Sequence, residues 1–201
     1  MVVVARRRLE ELPSEYALDV HAVERAGRLV QRIGDFAALI MDHDVFSGAD
    51  TVFCTMGSTR KAAGSASNFR RVDLEYVASS AASAKAAGVP HFALLTSQGA
   101  NAGALNSDSI LCHGLLYIHV KGAALKSQAF QRTTIYRPGL LDRGGHDARS
   151  WAEGLAVMLL PSTHVRTVAR AMVAREEDAG QSSGVETLDT AAIRAAAEAL
   201  R

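Results

Sequence analysis

His91-Phe-Ala-Leu-Leu-Thr96 is an apolar run closed by Pro90 on one side and Ser97 on the other, too short for a buried helix. It reads as a strand covered on both faces, which is how strands of a parallel sheet look in sequence. Two runs of the same character flank it, Asp50-Thr-Val-Phe-Cys-Thr-Met56 and Thr133-Thr-Ile-Tyr-Arg137. Between the first two lies Phe69 to Ala87, where Val72, Tyr76, Val77, Ser80 and Ala84 recur at three- and four-residue spacing and Gly88 supplies a stop. Strand and helix alternate, and alternation with right-handed crossovers predicts a doubly wound α/β sheet.

Working outward, Val2 to Ala5 reads as a strand, and Leu29 to Asp35 as a weaker one followed by a helical stretch from Phe36 to Phe46. Gly48-Ala49-Asp50 turns the chain into the next strand. From about residue 140 a helical portion is expected: Ser150 to Leu160, Val165 to Glu176 and the alanine-rich tail Thr190 to Arg201. The stretch Gly99 to His113 is the longest irregular interior segment and is expected to be an active-site loop. No repeat or linker divides the chain, so residues 1–201 are expected to form a single domain.

With 22 basic and 21 acidic residues, the net charge of +1 gives no reason to invoke nucleic acid. Arg6-Arg7-Arg8 follows an apolar run instead of preceding one, the reverse of a secretory signal, and no segment is apolar for long enough to span a membrane. Two cysteines, Cys54 and Cys112, fit a reducing compartment better than a disulfide framework, and a cytoplasmic location is the default expectation. The seven histidines show no metal-binding spacing. Cys112 and His113 are merely sequence neighbours, and Trp151 is expected to be a packing anchor.

Chemistry concentrates at Tyr117 and Lys121, four residues apart in a segment of helical character and therefore on one helix face. An ammonium beside a phenol favours the phenolate and suits the phenol to acid/base work. Taken alone, a solvated Tyr and Lys is the blander reading. Ser97 stands at the carboxyl end of its strand, where ligands sit in open α/β sheets. Its hydroxyl either orients a substrate carbonyl or caps the strand end, and Thr96 is an alternative to it.

Several segments together resemble the Tat-interacting oxidoreductase-like family, an atypical branch of the short-chain dehydrogenases: Cys54-Thr-Met-Gly-Ser-Thr-Arg60, Phe69-Arg-Arg-Val-Asp-Leu-Glu-Tyr-Val77, Thr96-Ser-Gln-Gly-Ala100, Leu116-Tyr-Ile-His-Val-Lys-Gly122 and Tyr136-Arg-Pro-Gly-Leu140. The likeness runs from about Val2 to about Gly145. It implies a Rossmann-like fold that binds NADP(H), with NAD as the alternative, and a catalytic set of Ser97, Tyr117 and Lys121. Regulatory protein partners, an unidentified small-molecule substrate, and nuclear or mitochondrial-surface association are also implied.

Within that resemblance Arg6 and Arg7 lie where the adenosine ribose is met, and a guanidinium there grips a 2′-phosphate. Asp35 and Phe36 match the pair flanking adenine, Met56 and Gly57 the strand end that approaches the cofactor ribose, and Arg137-Pro138-Gly139 the segment whose backbone meets the nicotinamide. Tyr117 and Lys121 also belong to the cofactor-binding set. Gly57 to Gly64 is no phosphate-binding P-loop, because the Lys-Ser/Thr pair is missing.

Three departures stand out. The glycine-rich fingerprint that follows the first strand of such a fold is nowhere in the chain, so the first strand and its phosphate loop are expected to be lacking, and residues upstream of Met1 are the simplest expectation. The interval between Ser97 and Tyr117 is long, which implies an inserted loop around Asn101 to Ser109. Asp73 stands near the place where many relatives carry Asn, which puts an Asn-dependent proton relay in doubt. Two alternatives to the enzyme therefore stay open: a non-catalytic regulatory module, and an inactive truncated form.

Overall fold

The structure, a computed structural model, describes residues 1–12, 18–58, 60–98, 130–143, 162–177 and 183–200. The described elements run β1 (Val2–Ala5), α1 (Val20–Arg25), β2 (Val30–Ile33), α2 (Phe36–Met41), a 3-10 turn (His43–Phe46), β3 (Thr51–Cys54), α3 (Arg60–Ala63) and α4 (Ala66–Arg70). A π turn (Arg71–Glu75) leads into α5 (Tyr76–Ala86), β4 (His91–Leu95), β5 (Arg132–Arg137), β6 (Leu140–Asp142) and β7 (Ser162–His164). Then come α6 (Val165–Glu177), β8 (Gly184–Asp189) and α7 (Thr190–Ala199).

Every strand pairing among these is parallel, and the main sheet has the order β3-β4-β5-β8. Its register places Thr51, His91 and Arg132 side by side, with Ala93 beside Thr134 two residues further along. Because side chains alternate across a strand, one face carries Phe92, Leu94 and Ile135 and the other Ala93, Tyr136 and Leu188. The first face is covered by Val77, Ala81 and Ala84 of α5, the second by Val168, Ala171 and Met172 of α6 with Ile193 and Ala197 of α7. Helices on both faces of a parallel sheet make the fold a doubly wound, Rossmann-like one. Phe92, Leu94 and Ile135 are fully removed from water, each stabilising the fold by about 1.5–3 kcal/mol. Gly88, at φ +80°, ends the α5 turn in the left-handed conformation that favours glycine.

β1 and β2 form a sheet of their own. Val30 N–H donates to the Met1 carbonyl and Gly34 N–H to that of Ala5, so these β1 groups face β2. By alternation the backbone of Val2 and Val4 faces the opposite edge, where no described strand pairs with it. Among the described residues the β1–β2 pair and the β3-β4-β5-β8 sheet are separate. Val4 still packs against the core that contains Cys54.

The region after residue 140 is not purely helical as expected. Its described part includes β6, β7 and β8, and β8 extends the main sheet beside β5. The expected helix from Phe36 to Phe46 breaks at Asp42, whose carboxylate accepts the Asp44 N–H at 3.0 Å and starts the 3-10 turn. The expected loop at 99–113, the segment bearing Tyr117 and Lys121, the expected helix at 150–160, and Cys112 and Trp151 lie outside the described residues. No described helix is long and apolar enough to cross a membrane.

Candidate functional site

Adjacent parallel strands deliver three of the expected segments to one edge of the main sheet: Met56–Ser58 after β3, Ser97 after β4 and Arg137–Gly139 at the end of β5. The backbone ties them together. Thr96 N–H donates to the Tyr136 carbonyl at 2.8 Å, Gln98 N–H to that of Pro138 at 2.7 Å, and Gly139 N–H to the Thr190 hydroxyl at the start of α7 at 2.9 Å. The Thr96 hydroxyl is spent on the same Tyr136 carbonyl, at 3.1 Å. That removes Thr96 as a substitute for Ser97, whose half-buried side chain has no hydrogen-bond partner among the described residues.

The other expected cofactor residues follow β1 and β2. Arg6 and Arg7 are exposed and without an ion pair among the described residues, whereas Arg8 holds both carboxylate oxygens of Glu24, at 2.7 and 2.8 Å. Asp35 is exposed and its carboxylate accepts the Ala37 N–H at the start of α2, 3.1 Å away. Phe36 packs on Tyr76 with ring centroids 5.6 Å apart.

Gly57 is exposed in the segment that follows β3. Its φ is not positive, and a Cβ built there would meet Asp73 Oδ1 at 3.6 Å, ordinary contact. Neither strain nor packing among the described residues requires glycine here. Beneath it Asp73, 3% exposed, accepts the Ser58 N–H through Oδ2 at 2.8 Å. Sequence reasoning treated Asp73 only as a departure from a relative's Asn. The available signal was its place on the buried stripe Phe69, Asp73, Val77, where an acid at four-residue spacing from two core side chains calls for a donor.

A second polar group lies at the opposite, amino-terminal edge of the sheet. His91, nearly fully buried, has Nδ1 2.8 Å from Glu176 Oε2 and Nε2 3.0 Å from Thr134 Oγ1. With Glu176 accepting, Nδ1 carries the proton and Nε2 accepts from the Thr134 hydroxyl. Burial pulls the imidazole below its ordinary value of 6.5, opposed by the Glu176 hydrogen bond and aided by Arg132. This carboxylate–imidazole–hydroxyl line has the order of a hydrolytic triad, but Thr134 is completely buried and out of reach of any substrate. Its work is to join β3, β4 and β5 to α6, which Arg132 reinforces by donating to the Arg175 carbonyl in the last turn of that helix. Tyr136 is buried too, and desolvation pushes its phenol above the ordinary tyrosine range. No group of three or more metal-ligating side chains occurs among the described residues.

A doubly wound parallel sheet whose strand ends converge on one edge defines a nucleotide-binding class of fold. Rat (Rattus norvegicus) protein HTATIP2 is 36% identical over 181 residues, covering 81% of this chain and 68% of its own length. FMP52-1, mitochondrial, of Scheffersomyces stipitis is 38% identical over 118 residues, covering 56% of this chain and 47% of its own length. Among solved structures, MoeE5 in complex with UDP-glucuronic acid and NAD superposes with a TM-score of 0.67 at 17% identity, over 94% of this chain and 67% of that one. No protein-family model matches. The chain belongs to the HTATIP2/FMP52-like family. It spans about two thirds of the rat relative and under half of the FMP52 relatives.

The comparison corrects the expected cytoplasmic location. The FMP52 relatives of Scheffersomyces stipitis and Debaryomyces hansenii are mitochondrial by name. Balanced charge and a buried Cys54 thiol outside any disulfide report on solubility and thiol redox state, which many compartments share, and neither is an address.

Proposed function

We propose that the protein is an NADP-dependent oxidoreductase acting on a small-molecule carbonyl or alcohol, with Ser97, Tyr117 and Lys121 as its proton-handling set. The observation that carries this reading is the delivery of Met56–Ser58, Ser97 and Arg137–Gly139 to the carboxyl edge of one parallel sheet. The residues present fit a nicotinamide dinucleotide. Gly57 leaves backbone open to close approach, and Arg137 keeps a buried Nε without a hydrogen-bond partner among the described residues. Arg6 and Arg7, uncommitted to any described carboxylate, would hold a 2′-phosphate; Met56, Gly57 and Arg137 to Gly139 would line the ribose and nicotinamide, and Asp35 the adenine side. When bound, the dinucleotide supplies a hydride donor or acceptor.

The chain's own residues handle the proton. Tyr117 donates it to the carbonyl oxygen in reduction and takes it back in oxidation, while the ammonium of Lys121, four residues on in the sequence, stabilises the phenolate that is left. Ser97, whose hydroxyl has no hydrogen-bond partner among the described residues, orients the carbonyl. Tyr136 is no substitute for Tyr117, since its side chain is fully buried and burial holds its phenol protonated.

Tyr117→Phe tests the assignment. It removes the proton and leaves the ring, so turnover is expected to fall by about 100-fold or more with folding and dinucleotide affinity retained. Unchanged turnover would remove Tyr117 from the mechanism. Biological activity unchanged by the substitution would favour a non-catalytic, partner-binding module.

A further inference from the structure

Asp73 is a carboxylate in an expensive place. It lies 3% exposed on a helix face that otherwise contributes Phe69 and Val77 to the core, and an ionised carboxyl there is tolerated only with strong partners. The helix is also irregular at this point. Residues Arg71–Glu75 form a π turn between α4 and α5, a widened turn that recurs at functional sites. The acid reaches a segment fifteen positions earlier in the chain, accepting the Ser58 N–H through Oδ2 at 2.8 Å, with Oδ1 under Gly57. A backbone amide donating to a carboxylate is a charge-assisted bond, stronger than one between neutral groups. Gly57 needs such a brace more than another residue would, because a glycine loop has the most conformational freedom to lose when a ligand fixes it.

We infer that Asp73 is a positioning residue for the cofactor. Through the Ser58 amide it holds the Met56–Ser58 backbone in the shape that receives the dinucleotide, without touching the reacting atoms. This rests on the dinucleotide-binding reading given above. A brace of this kind acts on binding: losing it makes the loop order itself when cofactor arrives, which lowers affinity and leaves the proton-transfer step alone. An Asn side chain has the same shape and retains an oxygen that accepts the Ser58 N–H, so it restores most of the effect.

The test is a comparison of the purified wild-type protein with Asp73→Ala and Asp73→Asn, titrated with NADPH and with NADH, together with amide exchange at Ser58 in the wild type without cofactor. Asp73→Ala is expected to weaken dinucleotide binding about tenfold and to raise the cofactor KM by a similar factor at nearly constant kcat, with Asp73→Asn restoring most of the loss. Ser58 N–H is expected to be protected from exchange in the wild type, a readout that holds even if Asp73→Ala fails to fold. An unprotected Ser58 amide overturns the inference, as does an Asp73→Ala protein that folds and binds with wild-type affinity. A wild type that binds neither dinucleotide overturns the functional reading and this role with it, whereas wild-type binding unaffected by Asp73→Ala overturns this role alone.

Discussion

The β1–β2 pair and the four-stranded sheet both begin from short runs that carry apolar residues and end in opposite states. Phe92, Ala93 and Leu94 of β4 are entirely buried, while Val2, Val30 and Ile33 of the pair are 50%, 48% and 38% exposed. The difference is neighbourhood. β4 has a strand on each side and helices on both faces, whereas β1 has a paired strand on one edge and α2 packed beside it. Apolar character makes a strand able to be buried, and its position in the sheet order decides whether it is.

The sharpest break of this comparison is by truncation. Phe92→Ala removes a ring packed against Phe130 at 5.3 Å between centroids and is expected to cost about 3–5 kcal/mol in chemical denaturation. Val30→Ala, at a half-exposed site, is expected to cost less than about 1 kcal/mol. Equal losses would mean that β1–β2 is as well packed as the main sheet.

A smaller effect separates the regions by pH. His91 titrates below its unfolded value, so the native state binds fewer protons than the unfolded chain in the window beneath pH 6.5. Its contribution is therefore present above 6.5 and is lost as pH falls through that window. The groups facing it are Thr51 of β3, Thr134 and Arg132 of β5, Glu176 of α6 and Glu186 of β8. Denaturation midpoints compared at about pH 8 and about pH 5 are expected to fall in the wild type and to fall less in His91→Gln. Identical slopes would remove His91 as the source.

Legibility follows the same division. β3, β4 and β5 could be read because strands covered on both faces leave unmixed apolar runs; Ser97 was singled out because it ends one of those runs, whereas Met56, Gly57 and Arg137–Gly139 were singled out through the family resemblance. β8 was missed. Gly184-Val-Glu-Thr-Leu-Asp189 is an edge strand, with Val185 exposed, Glu186 bound to Arg175 and only Leu188 fully buried, so its apolar signal is thin. The His91 network was invisible because Thr51, Thr134 and Glu176 are distant in sequence and meet only through the sheet register and α6. The π turn was also hidden: the 69, 73, 77 spacing looks like an uninterrupted helix, and the Ser58 amide that gives Asp73 its purpose lies in another element.

The most direct measurement is an equilibrium titration of the purified protein with NADPH and with NADH, followed by nicotinamide fluorescence, in the wild type and in Arg6→Ala and Arg7→Ala. Saturable one-site binding is the expected result, tighter for NADPH, with the preference reduced when either arginine is removed. Absence of saturable binding by both dinucleotides would contradict it.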